Sequence, residues 1–301
     1  MIVDAHHHLW DPGARRHAWL DALPELRRPF GIREFSQLAA EHSVTASVLV
    51  QVLAAGPETE DFLALAAATP LVAGVVGWAD LTGPGIGDEL ARLRELPGGD
   101  RLVGIRHLVQ DEPDPDWLGR PDVRRGLRAV GHAGLAYDLL IRPGQLPAAI
   151  AAVRGLGDLR FVLDHGAKPD IAHGQREPWS SLIGELAVAP NVSCKLSGLV
   201  TEAGPGWVAG QITPYADRLL DCFGPGRLMF GSDWPVCTLA AGYGDVLRLA
   251  VTALAGQLSE AELTAVLAGN AAQVYRLRLP RPGLQNRGQP LLDAGDMHSG
   301  P

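Results

Sequence analysis

Three consecutive histidines, His6, His7 and His8, stand almost at the start of the chain in DAHHHLWDP. In a β-strand successive side chains face opposite ways, so His6 and His8 share one face and His7 takes the other. Such a pair can offer two imidazole nitrogens to one metal ion, or form a hydrogen-bonded core pair. A purification-tag remnant does not fit, because the run is short and embedded in a segment that reads as a buried strand. Farther along, VLDHG ends near His165 and MFGSDWP carries Asp233. Three imidazoles and one carboxylate make the mixed nitrogen and oxygen donor set that zinc or a similar divalent ion accepts.

Residues so far apart in sequence meet only if the fold brings strand ends together. Eight β-branched, apolar runs recur: IVDAHH (2–7), TASVLVQV (45–52), LVAGVVGWAD (71–80), LVGIRHL (102–108), GLAYDLLI (134–141), LRFVLDH (159–165), NVSCKLS (191–197) and RLMFGSD (227–233). Stretches with helical spacing follow most of them, such as REFSQLAAEH and PDVRRGLRAVGH. Strand then helix, repeated eight times, predicts an α/β fold closed as a (β/α)8 TIM barrel. In that fold the working residues stand at the C-terminal strand ends, which is where His6, His8, His165 and Asp233 fall. The barrel is expected to fill residues 1–279 as one catalytic domain. Residues 280–301, rich in Pro and Gly and without periodicity, read as a tail.

With 301 residues, 47% hydrophobic and 20% charged, the chain can bury a large core. Its net charge of −8, with no basic stripe, argues against nucleic acid as a partner. Cys194, Cys222 and Cys237 lack CxxC spacing, which suggests neither a disulfide framework nor a zinc knuckle and points to a reducing cytoplasm. No export signal and no apolar run long enough to span a membrane is visible. The expected partner is a small-molecule substrate, and a homo-oligomer is compatible with the sequence.

DAHHHLW, GIRH, VLDHGAKP, CKLSGL, MFGSDWPV and the late GNAAQVY, in this order, give the chain a resemblance to the amidohydrolase superfamily. Within it, the sequence resembles the amidohydrolase-2 group that contains sugar-acid lactonases, over about residues 2 to 277. The resemblance implies a hydrolase opening a small sugar-acid lactone in carbohydrate catabolism. Asp233 would be the general base, His6, His8, His165 and Asp233 the ligands of a metal, and His165 also catalytic. The family's numbering would make the sixth run its fifth strand and so implies one run too many, the second and third being weakest. Relatives with a full metal centre end the sixth strand with a further histidine, and binuclear ones carry a lysine on the fourth. Here those places hold Lys195 and Asp138, so one divalent ion, zinc foremost, or metal-independent hydrolysis is implied. A metal-dependent decarboxylase of an aromatic or unsaturated acid is the alternative within the superfamily. A non-catalytic scaffold has no use for costly polar groups in a barrel mouth.

Lactone hydrolysis also needs donors for the carbonyl oxygen and surfaces for the ring. Arg106, His107 and Lys195 are the candidate cations, although Arg106 and His107 alternate and both face inward only where the strand has ended. A charged Lys195 inside an apolar strand needs a purpose or a partner. Gln51 can bond a sugar hydroxyl or a neighbouring backbone group, and Trp78 and Trp234 can face a sugar ring or simply pack. Asp4 shares the parity of His6 and is expected to orient it or to close the barrel floor. Lys168 is set aside because Ala167 stands where the family usually has glycine. His7 is a bystander on the outer face, and His17, His42, His132 and His173 default to the surface.

Overall fold

Each of the eight apolar runs forms a strand: β1 (Ile2–His7), β2 (Val44–Val50), β3 (Val72–Gly77), β4 (Leu102–His107), β5 (Ala136–Leu139), β6 (Arg160–Leu163), β7 (Val192–Leu196) and β8 (Leu228–Phe230). The implied surplus strand is therefore corrected, since the second and third runs pair in the sheet like the others. This computed structural model describes residues 1–279, and the expected tail lies outside the described residues. The strands are parallel and in sequential order, with a helix after most of them wrapping the outside. Sequential parallel pairing follows from the helical crossovers, which return the chain to the same end of the sheet before each new strand.

No ladder joins β8 to β1. Closure is made by the loop after β8, where Asp233 N donates to His6 O at 2.8 Å and His8 N donates to Trp234 O at 2.7 Å. Gly231 permits this approach, because a Cβ there would stand 2.7 Å from the His6 Cβ. The seam of the barrel is thus built from the segments that carry its candidate catalytic groups.

Two apolar clusters divide the molecule. Val3, Ala5, Ala46, Val48, Val76, Val162 and Met229 fill the barrel interior, and a larger cluster packs the helices onto its outside. The interior is plugged from the strand N-terminal end by the helix Asn270–Val274, whose following Tyr275 and Leu277 pack with the small interior residues. Gly74 makes room, since a Cβ there would meet Leu277 at 2.9 Å.

The alternation expected along β1 breaks at its centre. A register shift lies between Asp4 and His7, so Ala5 and His6 both point inward while Asp4 turns out. There Asp4 Oδ1 accepts from the Ser232 and His6 amides, at 2.9 and 3.1 Å, and Oδ2 accepts from the Tyr243 hydroxyl at 3.0 Å. The shared face expected for Asp4 and His6 is corrected by this bulge. Asp4 instead ties β1 to the loop after β8. His7 does face outward, but it is buried, stacked on Phe35 at 3.7 Å between centroids. His17 is likewise buried, its Nδ1 donating to Arg15 O at 2.8 Å, which corrects its surface placement.

Candidate active site

Past β6 the chain turns through four consecutive left-handed residues, His165, Gly166, Ala167 and Lys168, with φ of 52°, 56°, 64° and 53°. Left-handed backbone costs an L-residue about 1–2 kcal/mol, so a run of three non-glycine residues in it persists only where its surroundings enforce it. Here Trp179 Nε1 donates to Gly166 O at 2.7 Å. The turn swings His165 into the barrel mouth, where its Nδ1 lies 2.8 Å from Ser197 Oγ. Gly198 gives it space, because a Cβ would come within 2.6 Å of that nitrogen. Asp233, three residues beyond the end of β8, is also left-handed at φ 57°.

The four sequence-selected groups converge. Asp233 Oδ1 lies 3.4 Å from His8 Nε2, 3.7 Å from His6 Nε2 and 3.8 Å from His165 Nε2. His6, His165 and Asp233 can each present one ligand atom within 4.8 Å of the others. Tetrahedral bonds of about 2.1 Å separate ligand atoms by roughly 3.4 Å, near the 3.4–3.8 Å between Asp233 and each ring, while the widest spacing in the group of His6, His165 and Asp233 exceeds it.

Backs of the rings fix their protons. His8 Nδ1 faces Val50 O at 2.8 Å and must donate to it, which leaves the Nε2 lone pair toward Asp233. His6 Nδ1 sits between Lys195 Nζ at 3.1 Å and Asp164 Oδ1 at 3.3 Å. Asp164 Oδ1, buried and 2.9 Å from the Lys195 ammonium, can also accept a hydrogen bond from His6 Nδ1–H, which leaves that ring's Nε2 lone pair for a cation. The donor set therefore fits a divalent ion. Without one, Lys195 can donate to Nδ1, and His6 Nε2–H then donates to His8 Nε2, 3.0 Å away.

Burial lowers the basicity of all three imidazoles: it pushes His165 down to about 4, takes His6 well below its ordinary value with Lys195 adding to the effect, and lowers His8. Each is neutral near pH 7. Burial alone would raise the Asp233 carboxyl, but the positive charge that His165, His8 and His6 carry while protonated more than reverses it, so Asp233 ionises well below the usual carboxylate range, before those rings lose their protons. One ionised oxygen acceptor thus stands among neutral nitrogens.

The cavity above them, about 510 Å³, is lined by His8, His165, Asp233, Arg106 and Lys168 and walled by apolar Trp10, Trp19, Leu108 and Leu239. The other sequence-selected residues are distributed differently. Arg106 reaches the cavity, but its Nη1 donates to Asp164 Oδ2 at 2.9 Å and its Nη2 to Gln51 Oε1 at 3.0 Å. Gln51 is fully buried in that contact and does not line the cavity. Lys195 is also fully buried beneath the site, 2.6 Å from Asp138 Oδ2 and 2.9 Å from Asp164 Oδ1. Its place corrects the expectation that it meets substrate. Trp78 and His107 bond each other at 3.1 Å, and His107 continues to Glu112 and stacks on Trp117, outside the cavity lining. Trp234 is buried against Phe30 and Phe35 and packs the shell instead of facing the mouth.

Sequence reasoning missed Asp164, Ser197 and Tyr275, and it quoted Asp138 only for not being a lysine. A signal existed for Asp138: two opposite charges in apolar strands, Asp138 and Lys195, each require a buried partner. Tyr275, whose hydroxyl donates to Asp138 Oδ2 at 2.7 Å from the plugging helix, carried no such signal.

Comparison with known proteins agrees with this geometry. The chain is 39% identical over 282 residues to an L-fucono-1,5-lactonase of Burkholderia ambifaria, covering 92% of this chain and 96% of that one. A crystal structure of an amidohydrolase from Burkholderia multivorans with bound zinc superposes with a TM-score of 0.86 at 36% identity, covering 92% of this chain and 99% of that one. A 5-carboxyvanillate decarboxylase from Sphingomonas paucimobilis shares the fold alone, with a TM-score of 0.61 at 15% identity over 92% of this chain and 99% of the other. With the amidohydrolase family model matching residues 3–277, nearly the whole barrel that brings His6, His8, His165 and Asp233 together, the chain belongs to the amidohydrolase family.

Proposed function

We propose that the protein hydrolyses the ring ester of a small sugar-acid lactone, with Asp233 as the general base. The observation that carries this reading is the single ionised carboxylate of Asp233, with three neutral imidazoles at 3.4–3.8 Å, at a cavity of a size suited to one small ligand. The Burkholderia ambifaria lactonase, similar over nearly its whole length, supports the substrate class. The decarboxylase alternative has support only from a shared fold.

In the reaction, Asp233 accepts a proton from water as that water's oxygen bonds to the lactone carbonyl carbon. The carbon–oxygen bond of the ring then breaks, and the proton held on Asp233 passes to the departing alkoxide, giving the open hydroxy acid. His8, fixed by its bond to Val50 O, and His165, fixed by Ser197, orient water and substrate toward that carboxylate. The apolar walls limit the water that reaches the carbonyl. His6, His8, His165 and Asp233 are the residues that would hold a divalent ion, zinc foremost. When bound, such an ion supplies Lewis acidity at the carbonyl and lowers the pKa of coordinated water toward about 7. The Burkholderia multivorans structure with bound zinc supports that choice of metal, while Asp233 serves as base with or without it.

A small-molecule substrate as partner, a role in carbohydrate catabolism and a cytoplasmic setting go with this reading. Among the described residues no helix is long and apolar enough to cross a membrane, and the three cysteines are free. Acid release from a panel of aldonolactones, run beside CO₂ release from aromatic carboxylates, tests it. The reading expects turnover of at least one lactone and loss of about 10³-fold or more in kcat for Asp233→Asn with ligand binding retained. No acid release from the panel rejects it.

A further inference from the structure

Addition of water to the lactone places negative charge on the carbonyl oxygen, and a cation that can reach it stabilises that charge. Three cationic side chains surround the site, and two are already committed. Lys195 is fully buried and spends its ammonium on Asp138, Asp164 and His6 at 2.6, 2.9 and 3.1 Å. Arg106 lines the cavity, but its Nη1 is held by Asp164 at 2.9 Å and its Nη2 by Gln51 at 3.0 Å. Lys168 differs from both. It lines the cavity beside His165 and Asp233, and among the described residues its one ion pair is a loose 3.5 Å contact with Glu202. Lys168 stands in the same left-handed turn that delivers His165, with Lys168 N donating to His165 O at 2.9 Å. One strained element therefore presents an imidazole and an ammonium to the same space.

From this we infer that Lys168 is a catalytic residue, the cation that receives the lactone carbonyl oxygen as it becomes an oxyanion, with Glu202 holding the ammonium in position. The inference rests on the lactone-hydrolase reading. As water adds and Asp233 takes its proton, the carbonyl π electrons move onto the oxygen beside Lys168. They return to carbon as the ring bond breaks, and the alkoxide takes the proton from Asp233. Lys168 keeps its own protons throughout and supplies three N–H donors that the neutral imidazoles do not.

Steady-state kinetics of Lys168→Met and Lys168→Arg test this on any lactone that the wild type turns over. Lys168→Met is expected to lose about 100-fold or more in kcat with KM changed by less than about 5-fold, and Lys168→Arg to recover at least about 10-fold of that loss. Glu202→Gln is expected to lower kcat by about 3- to 10-fold. In Lys168→Ala, added methylammonium is expected to restore part of kcat in a saturable way, a readout that a purely structural lysine would not give. Lys168→Met at wild-type kcat, or with KM raised and kcat unchanged, overturns the assignment. So does a folded Lys168→Ala that methylammonium leaves unchanged, which also decides the matter should the Met variant not fold. The hydrolase reading fails separately, by absence of wild-type turnover in the lactone panel.

Discussion

Replacing Lys195 by methionine would remove the cation under the site while keeping most of its volume. Asp164 would still have Arg106 at 2.9 Å, but Asp138 would keep only the neutral hydroxyl of Tyr275 at 2.7 Å. Burial already pushes the Asp138 carboxyl up to about 6, with Lys195 drawing it back down. Without Lys195 that push is opposed only by the Tyr275 hydroxyl, and Asp138 takes up a proton well above pH 6. Removing one member of a buried ion pair costs about 3–5 kcal/mol, a large part of an ordinary stability of about 5–15 kcal/mol. The sign of the pH dependence follows from the raised carboxyl. A group that binds its proton more tightly when folded loses stability as pH rises through its folded value. Wild type passes that point near pH 6 and the variant passes it higher. The deficit of Lys195→Met should therefore grow above pH 6 by up to about 1.4 kcal/mol per pH unit. Urea denaturation at pH 6 and pH 8 measures it, and Lys195→Met/Asp138→Asn, which removes both charges, should regain most of the loss at pH 8. A deficit under about 1 kcal/mol at pH 8, or one equal at both pH values, would refute the reasoning, because Lys195 would then not be neutralising a buried carboxylate.

Gly231→Ala would place a Cβ 2.7 Å from that of His6 and 3.3 Å from that of Ser197, pushing His6 off Asp233. It is expected to lower kcat by about 10- to 100-fold while costing only about 1–3 kcal/mol in stability, compared by kinetics and thermal melting. Glu58, buried and accepting from the Val52 and Leu53 amides at 2.8 and 2.9 Å, has its carboxyl pushed up to about 7 by burial. Wild type therefore loses stability at this site as pH rises from its unfolded value near 4.5 to about 7. Glu58→Gln keeps an acceptor without the charge and should gain on wild type over that window, by about 1–3 kcal/mol at pH 8 in urea titrations. A variant that falls behind wild type as pH rises would contradict this.

Much of the architecture was readable because the signals were local. Alternating apolar strands and amphipathic helices specify a barrel through backbone periodicity alone, and strand ends in a barrel necessarily face one mouth. The grouping of His6, His8, His165 and Asp233 is therefore legible in the sequence, and the three rings do stand within 3.4–3.8 Å of the Asp233 carboxylate. Less readable were residues whose orientation depends on a departure from regular geometry. The bulge after Asp4 reversed its face, and the left-handed turn brought Lys168 to the cavity although its neighbour Ala167 had counted against it.

By itself the sequence determined the strand order and the group of three imidazoles and one carboxylate at the strand ends, since each follows from residue type and period along the chain. Only the tertiary structure decided which charged and aromatic side chains are committed to buried partners. Lys195 and Arg106 meet Asp138, Asp164 and Gln51 from other strands, and Trp78, His107 and Trp234 find partners away from the cavity. The physical reason is that a buried charge or ring is assigned by whatever lies within a few ångströms in three dimensions. Those neighbours come from strands, loops and a plugging helix that no local pattern relates to one another.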